Sequence, residues 1–207
     1  MIKELSKLEQ QIQKFMPFNE QEEHDKAILL KWFESGSDIL TRENEIAHLT
    51  ASAWVVSPDK ESVLMAYHNI YHSWAWLGGH ADGDADLHHV AQKEVMEESG
   101  LTHIKVLLDE PFSIEILSVD GHIKKGNYVS THLHLNVTYL MEADPKDAVQ
   151  NRPEENSAVA WIRVDQIAEK STEPWFVEHV YAKLCEKMQV KFRGRLSDLK
   201  FSEKGLK

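Results

Sequence analysis

Three glutamates, Glu94, Glu97 and Glu98, stand at spacing i, i+3, i+4 within a stretch whose apolar residues follow the same helical period. Side chains so spaced project from one side of a helix. With Leu87 set at zero and about 100° per residue, Val90, Ala91 and Val95 fall within about 80° of it and form a stripe that faces a core. Glu94 and Glu98 fall inside that stripe, roughly 20° to either side of Leu87, and Glu97 lies at its edge beside Val90. A solvated acidic face would turn its glutamates away from the stripe. Like charges at this spacing weaken a helix, and burying unpaired carboxylates is costly. The fold must therefore bring a compensating group to them. A divalent cation fits, because Mg²⁺ and Mn²⁺ prefer carboxylate oxygens.

The rest of the chain reads as elements around this helix. Residues 3–16 form a helix with Leu5, Leu8, Ile12 and Phe15 on one stripe, stopped by Pro17. Asn19 caps a second helix running to about Glu34, with Ile28, Leu29, Trp32 and Phe33 as its apolar contacts. Strands are expected at Ala51–Val56, Val63–His68, Trp74–Leu77, Ile104–Leu108, Phe112–Val119, Tyr128–Met141 and Ala158–Val164. Gly78 to Asp86 reads as a loop, Asp84 or Asp86 as the cap of the glutamate helix, and Gly100 as its end. Ala143 to Asn156 is a polar loop, Val164–Lys170 a short helix, and Pro174 to about Val190 a longer one with Phe176, Val180, Leu184 and Met188 on a stripe. Lys191–Lys207 reads as a basic tail.

Strand, glycine-containing loop, glutamate-rich helix, glycine, strand: this order resembles the Nudix hydrolases, whose signature is G-x₅-E-x₇-R-E-U-x-E-E-x-G-U, with U a bulky aliphatic residue. Gly79 matches the first glycine, Glu94 the glutamate after the arginine position, Val95 the aliphatic position, Glu97 and Glu98 the paired glutamates, and Gly100-Leu101 the ending. Two positions depart from it. Ala85 stands at the early glutamate and Lys93 at the arginine. In the family that arginine orients neighbouring glutamates through a planar fork, which a lysine point charge does not reproduce. Lys93 still lies one helical turn before Glu97 and can neutralise it.

The resemblance implies an α/β fold, a Nudix-like α/β/α sandwich with a mixed sheet, a helical N-terminal extension and a C-terminal helix. Residues 1–45 are the extension, 46–170 the Nudix domain, and 171–207 the C-terminal helix and tail. It also implies Mg²⁺ (or Mn²⁺) held by Glu94 and Glu98, with Glu97 a further ligand and the Gly78 carbonyl an added oxygen. Glu98 is the first choice for the base that activates water, with Glu97 also in the catalytic set. Glu154 and Glu155, in the loop before the last strand, are the distant candidates, and ordinary solvated loop acids are the alternative reading of both. The implied reaction is metal-assisted attack of water on a diphosphate linkage in a nucleoside diphosphate derivative or a nucleotide. A nucleotide-binding sensor or regulator on the same scaffold is the second reading, because a fold does not fix a function and Ala85 and Lys93 depart from the signature. Isomerisation of isopentenyl diphosphate also occurs on this scaffold but leans on an active-site cysteine, and Cys185 lies far from the motif in sequence.

Net charge of −11 argues against a long nucleic acid as partner and leaves room for a small phosphorylated molecule held by a metal. Met1 to Lys14 alternates charged and apolar residues, so it is neither a signal peptide nor a membrane span. Cytoplasmic residence follows, and the single cysteine fits a reducing compartment. The helical preface is available to a homodimer as readily as to a monomer.

The chain holds 12 histidines. His132 and His134 point the same way along a strand, but no third ligand stands at convincing spacing and the adjacent His88 and His89 diverge by about 100°. A dedicated zinc site is therefore not expected. His80, between Gly79 and the acidic loop, is better placed to touch substrate, with a simple loop residue as the alternative reading. Trp74 and Trp76 share a strand face and read as core residues, with base stacking as the alternative.

Overall fold

The computed structural model describes residues 2–124 and 126–192. The expected basic tail therefore lies, from residue 193 onward, outside the described residues. Helices α1 (Ile2–Lys14) and α2 (Glu20–Glu34) open the chain. Strands β1 (Ala47–Val56), β2 (Ser62–His68), β3 (Ser73–Ala75) and β4 (Leu77–His80) precede α3 (Leu87–Ser99). Then follow β5 (Lys105–Val106), β6 (Ser113–Val119), β7 (His122–Lys124), β8 (Asn127–Val129), β9 (His132–Glu142) and β10 (Asn156–Arg163). A 3₁₀ turn (Val164–Gln166) leads into α4 (Ile167–Lys170), and α5 (Pro174–Phe176), a π-helical turn (Val177–Tyr181) and α6 (Ala182–Lys191) complete the described chain. The strands run in the hydrogen-bonded order β10-β2-β1-β9-β5, with β3 on β2, β4 on β1 and β6 on β9. The architecture is thus the expected α/β class, a sheet accompanied by helices.

The residues group into two compact units. The first comprises Met1–Ser52, Gly78–Gln92 and Leu108–Tyr139. Leu8, Ile12 and Leu29 are buried, as their helical spacing requires. Asn19 caps α2 by accepting from the Glu22 amide at 3.0 Å, and Glu22 accepts from the Phe18 amide at 2.8 Å. The same Glu22 carboxylate is fully buried and accepts from the Ser113 hydroxyl at 2.6 Å, which ties α2 to β6. Asn136 and Thr138 donate to Glu115, while Thr50 and Ser52 donate to the side-chain oxygen Oδ1 of Asn136. Buried polar groups so connected hold strand register as firmly as apolar ones.

This network explains why β1 begins at Ala47, four residues before the expected Ala51. His48, Thr50 and Ser52 are all buried, so the polar residues that disguise the strand's start in the sequence find partners inside. The expected loop from Gly78 is also partly strand. β4 holds Gly78, where a Cβ would lie 2.5 Å from the Ala51 carbonyl oxygen and 2.7 Å from Ser52 Cα. Glycine marks a close backbone approach here, not a break. The single expected strand Tyr128–Met141 is divided, β8 pairing with β7 in a separate hairpin and β9 starting at His132.

The second unit comprises Ala53–Leu77, Lys93–Leu107 and Leu140–Lys207. β2 pairs antiparallel with β10 and with β3, and a bulge separates Asn156 from Ala158. The expected strand Ile104–Leu108 is reduced to the two residues of β5 on the end of β9. The C-terminal helix buries Val180, Leu184 and Met188 as its stripe predicts, with a π turn breaking its α-helical run. Trp54 stacks on Tyr181 at 5.8 Å, Trp76 meets Tyr181 edge-on at 5.9 Å, and Trp74 meets Tyr67 edge-on at 5.6 Å. Both strand tryptophans are therefore occupied by protein aromatics. Among the described residues no helix is long and apolar enough to cross a membrane.

Candidate active site and metal centre

α3 is capped at both ends as its sequence demands. Asp86 accepts from the His89 amide at 3.2 Å, which makes it the N-cap, while Asp84 accepts from the Asp86 amide at 2.9 Å. At the other end Gly100 takes φ +71°, and its amide donates to the Met96 carbonyl at 3.0 Å. The helix then sorts its glutamates as the wheel predicts. Glu98 is buried at 7% exposure, Glu94 is half-buried, and Glu97 is exposed.

The loop before β10 is fastened to this helix end by three contacts. The Gln150 amide donates to the Ser99 carbonyl at 2.7 Å, Asn156 Nδ2 donates to the Glu98 carbonyl at 3.2 Å, and Arg152 Nη1 donates to Glu97 Oε2 at 3.1 Å. Arg152 also donates to Glu155 Oε2 at 3.4 Å. Fastened in this way, the loop brings Glu155 to the helix, where carboxylate oxygens of Glu94, Glu98 and Glu155 all lie within 4.8 Å of one another. Burial first, then the Glu97 and Glu155 charges, hold the Glu94 carboxyl above the usual carboxylate range, with Lys93 and Arg152 offsetting only part. Three acids crowded on a half-buried surface are a donor set for a hard divalent cation.

The other expected residues are not members of this triple. Glu97 stands outside the triple, bridging Lys93 at 3.7 Å and Arg152. Glu154 is not part of the triple, though its charge acts on Arg152. Gly78 lies in the first unit, in β4, where packing against β1 accounts for the glycine. His80 closes β4 with its ring among other imidazoles, 5.1 Å from His48 and 4.9 Å from His134 between centroids. Ala85 is buried, and Asp84, beside it, binds His89 Nδ1 at 2.9 Å. Cys185 is buried with its thiol pushed up to about 12 by desolvation, so it supplies neither a thiolate nor a proton donor near neutral pH.

Two features escape the sequence. Arg152 carries no signal in its polar loop, because its partner Glu97 is fifty-five positions away. His48 likewise sits on a strand whose neighbours in sequence are apolar, and only strand pairing brings it to His80 and His134.

The NUDIX domain family model matches residues 46–184. Comparison with curated proteins gives no match. Among solved structures, an Ap4A hydrolase from C. elegans aligns with 18% identity over 70% of this chain and 98% of its own, at a TM-score of 0.50. A MutT protein from Methanosarcina mazei Go1 aligns with 14% identity over 70% of this chain and 98% of its own, also at a TM-score of 0.50. At such identities the likeness is one of fold.

Proposed function

Because the chain belongs to the Nudix family of pyrophosphohydrolases, we propose that it hydrolyses a diphosphate linkage in a nucleoside diphosphate derivative or a nucleotide, using Mg²⁺ or Mn²⁺. The observation that carries this reading is the convergence of Glu94, Glu98 and Glu155 within 4.8 Å. These three would hold the cation. Bound there, the ion would neutralise phosphate oxygens and lower the pKa of a water. Glu98, the most buried of the three, accepts the proton of the attacking water as the bridging P–O bond breaks. Arg152 fixes Glu97 and Glu155, and so keeps the acids in place when no phosphate is present. In this reading residues 46–170 carry the chemistry and 1–45 and 171–207 flank it. The protein works in the cytoplasm, where its lone thiol stays reduced and nucleotides are abundant.

The test is incubation of the full chain with Mg²⁺ or Mn²⁺ and a panel of nucleotide sugars, dinucleoside polyphosphates, ADP-ribose and nucleoside triphosphates, followed by phosphorus NMR. Cation-dependent appearance of products supports the proposal. Nucleotide binding without any product would overturn it and make the chain a sensor.

A further inference from the structure

The first compact unit contains a second cluster of metal-ligating side chains, built from imidazole alone. His48 lies on β1, His80 ends β4 and His134 lies on β9, and one ring nitrogen of each falls within 4.8 Å of the others. β4 pairs with β1, and the Leu133 amide donates to the Ile46 carbonyl at 2.9 Å, so the backbones that carry these rings are mutually fixed.

The hydrogen bonds set which nitrogens are free to ligate. His48 is 4% exposed, and its Nδ1 lies 3.0 Å from the Asn44 carbonyl oxygen. A carbonyl only accepts, so Nδ1 carries the proton and Nε2 presents a lone pair. That Nε2 is buried without a hydrogen-bond partner. A buried polar atom left unmatched destabilises a fold, so its placement among two other imidazoles calls for an occupant. His132, the flanking fourth ring, repeats the arrangement. Its Nδ1 donates to the Ser130 carbonyl at 2.8 Å, and its Nε2 lies 3.3 Å from His134 Nε2. Backbone carbonyls that hold the far ring nitrogens are the usual outer shell of a histidine metal site.

We propose that His48, His80 and His134 bind a divalent transition-metal ion of the Zn²⁺ type, separate in its ligands from the carboxylate centre, with His132 as the flanking imidazole. The donor set decides the class of ion. Imidazole suits zinc, copper and nickel, whereas magnesium and calcium take oxygen. A ligating imidazole is neutral, with one ring nitrogen unprotonated. Arg42, whose charge reaches His48 and His80, is itself held by Asp82 through two hydrogen bonds of 2.8 and 2.7 Å. Three protein ligands leave a position for water or a substrate atom, as in catalytic zinc sites.

The test uses the full chain, stripped with chelator and dialysed into excess Mg²⁺. Titration with Zn²⁺ and metal analysis after gel filtration should find one tightly held zinc per chain, and Co²⁺ in its place should give the intense visible absorption of a four-coordinate nitrogen site. H48A and, as a less buried second variant, H80Q should each weaken zinc binding by more than the roughly 10–100-fold that loss of an outer-shell partner causes. E98Q should leave it unchanged. Zinc affinity that survives both histidine variants, or that disappears with E98Q, would overturn the proposal, as would a wild-type chain that retains no zinc.

Discussion

Arg152 Nη1 donates to Glu97 Oε2 at 3.1 Å, linking the loop before β10 to the glutamate helix. The signature places its arginine inside the helix, where this chain has Lys93. Here a guanidinium reaches the same acids from outside and touches Glu155 as well. The departure at Lys93 thus comes with a compensating group that no local pattern reveals. Both partners are well exposed, so the pair contributes no more than about 1 kcal/mol to stability. Its role is placement, and small misplacements in an active site reduce rates by up to about 10²-fold. We expect Arg152→Ala to lower kcat within that range, with the thermal midpoint nearly unchanged. Adding Lys93→Arg should restore part of the loss. Equal kcat in wild type and Arg152→Ala would assign the pair to the solvated surface.

Gly100 ends α3 at φ +71°, and a Cβ there would lie 3.2 Å from Gln150 Cβ. A left-handed conformation destabilises a non-glycine residue by about 1–2 kcal/mol. Gly100→Ala should lower stability by at least that amount in urea unfolding. It should also lower kcat, because Gln150 belongs to the loop that carries Arg152 and Glu155. A stable variant with full activity would mean that the loop does not depend on this helix end.

Lys60 is 3% exposed at its side chain and pairs with Glu142, which Lys105 also meets at 3.2 Å. The Lys60 hydrogen bond holds the Glu142 carboxyl below its usual range. A depressed acid stabilises the fold fully above its unfolded pKa, and that contribution is lost as pH falls through the folded value. Unfolding free energy should therefore decline in mild acid, and Glu142→Gln should flatten that decline. At neutral pH the same variant removes the countercharge of a buried ammonium and leaves it the Ser57 and Pro58 carbonyls, so stability should fall, by less than the roughly 3–5 kcal/mol of a fully orphaned buried charge. Chemical denaturation across pH measures both effects.

How far the sequence carries can be judged residue by residue. The α3 limits, the Asp86 cap, the Gly100 stop and the burial order of Glu98, Glu94 and Glu97 all follow from local rules, because period and capping are properties of a short segment. β1 is only half legible, since His48, Thr50 and Ser52 look like solvent-facing residues until Asn136 and Asn44 supply partners from elsewhere. Gly78 reads as a loop because glycine is rare in strands, and only the approach of Ala51 explains it. Arg152 and the histidine cluster are products of strand pairing and loop docking. Spacing along the chain shows only the His132–His134 pair of the histidine cluster and nothing of Arg152.

The carboxylate triple is the centre of the functional account, and Glu98→Gln tests it most directly. The measurement is the rate of release of phosphate-containing product from the best substrate, at saturating Mg²⁺, for wild type and variant with matched circular dichroism. Loss of the group that takes the proton from water should lower the rate by about 10²–10⁴-fold. Wild-type turnover by Glu98→Gln would contradict the assignment of the site.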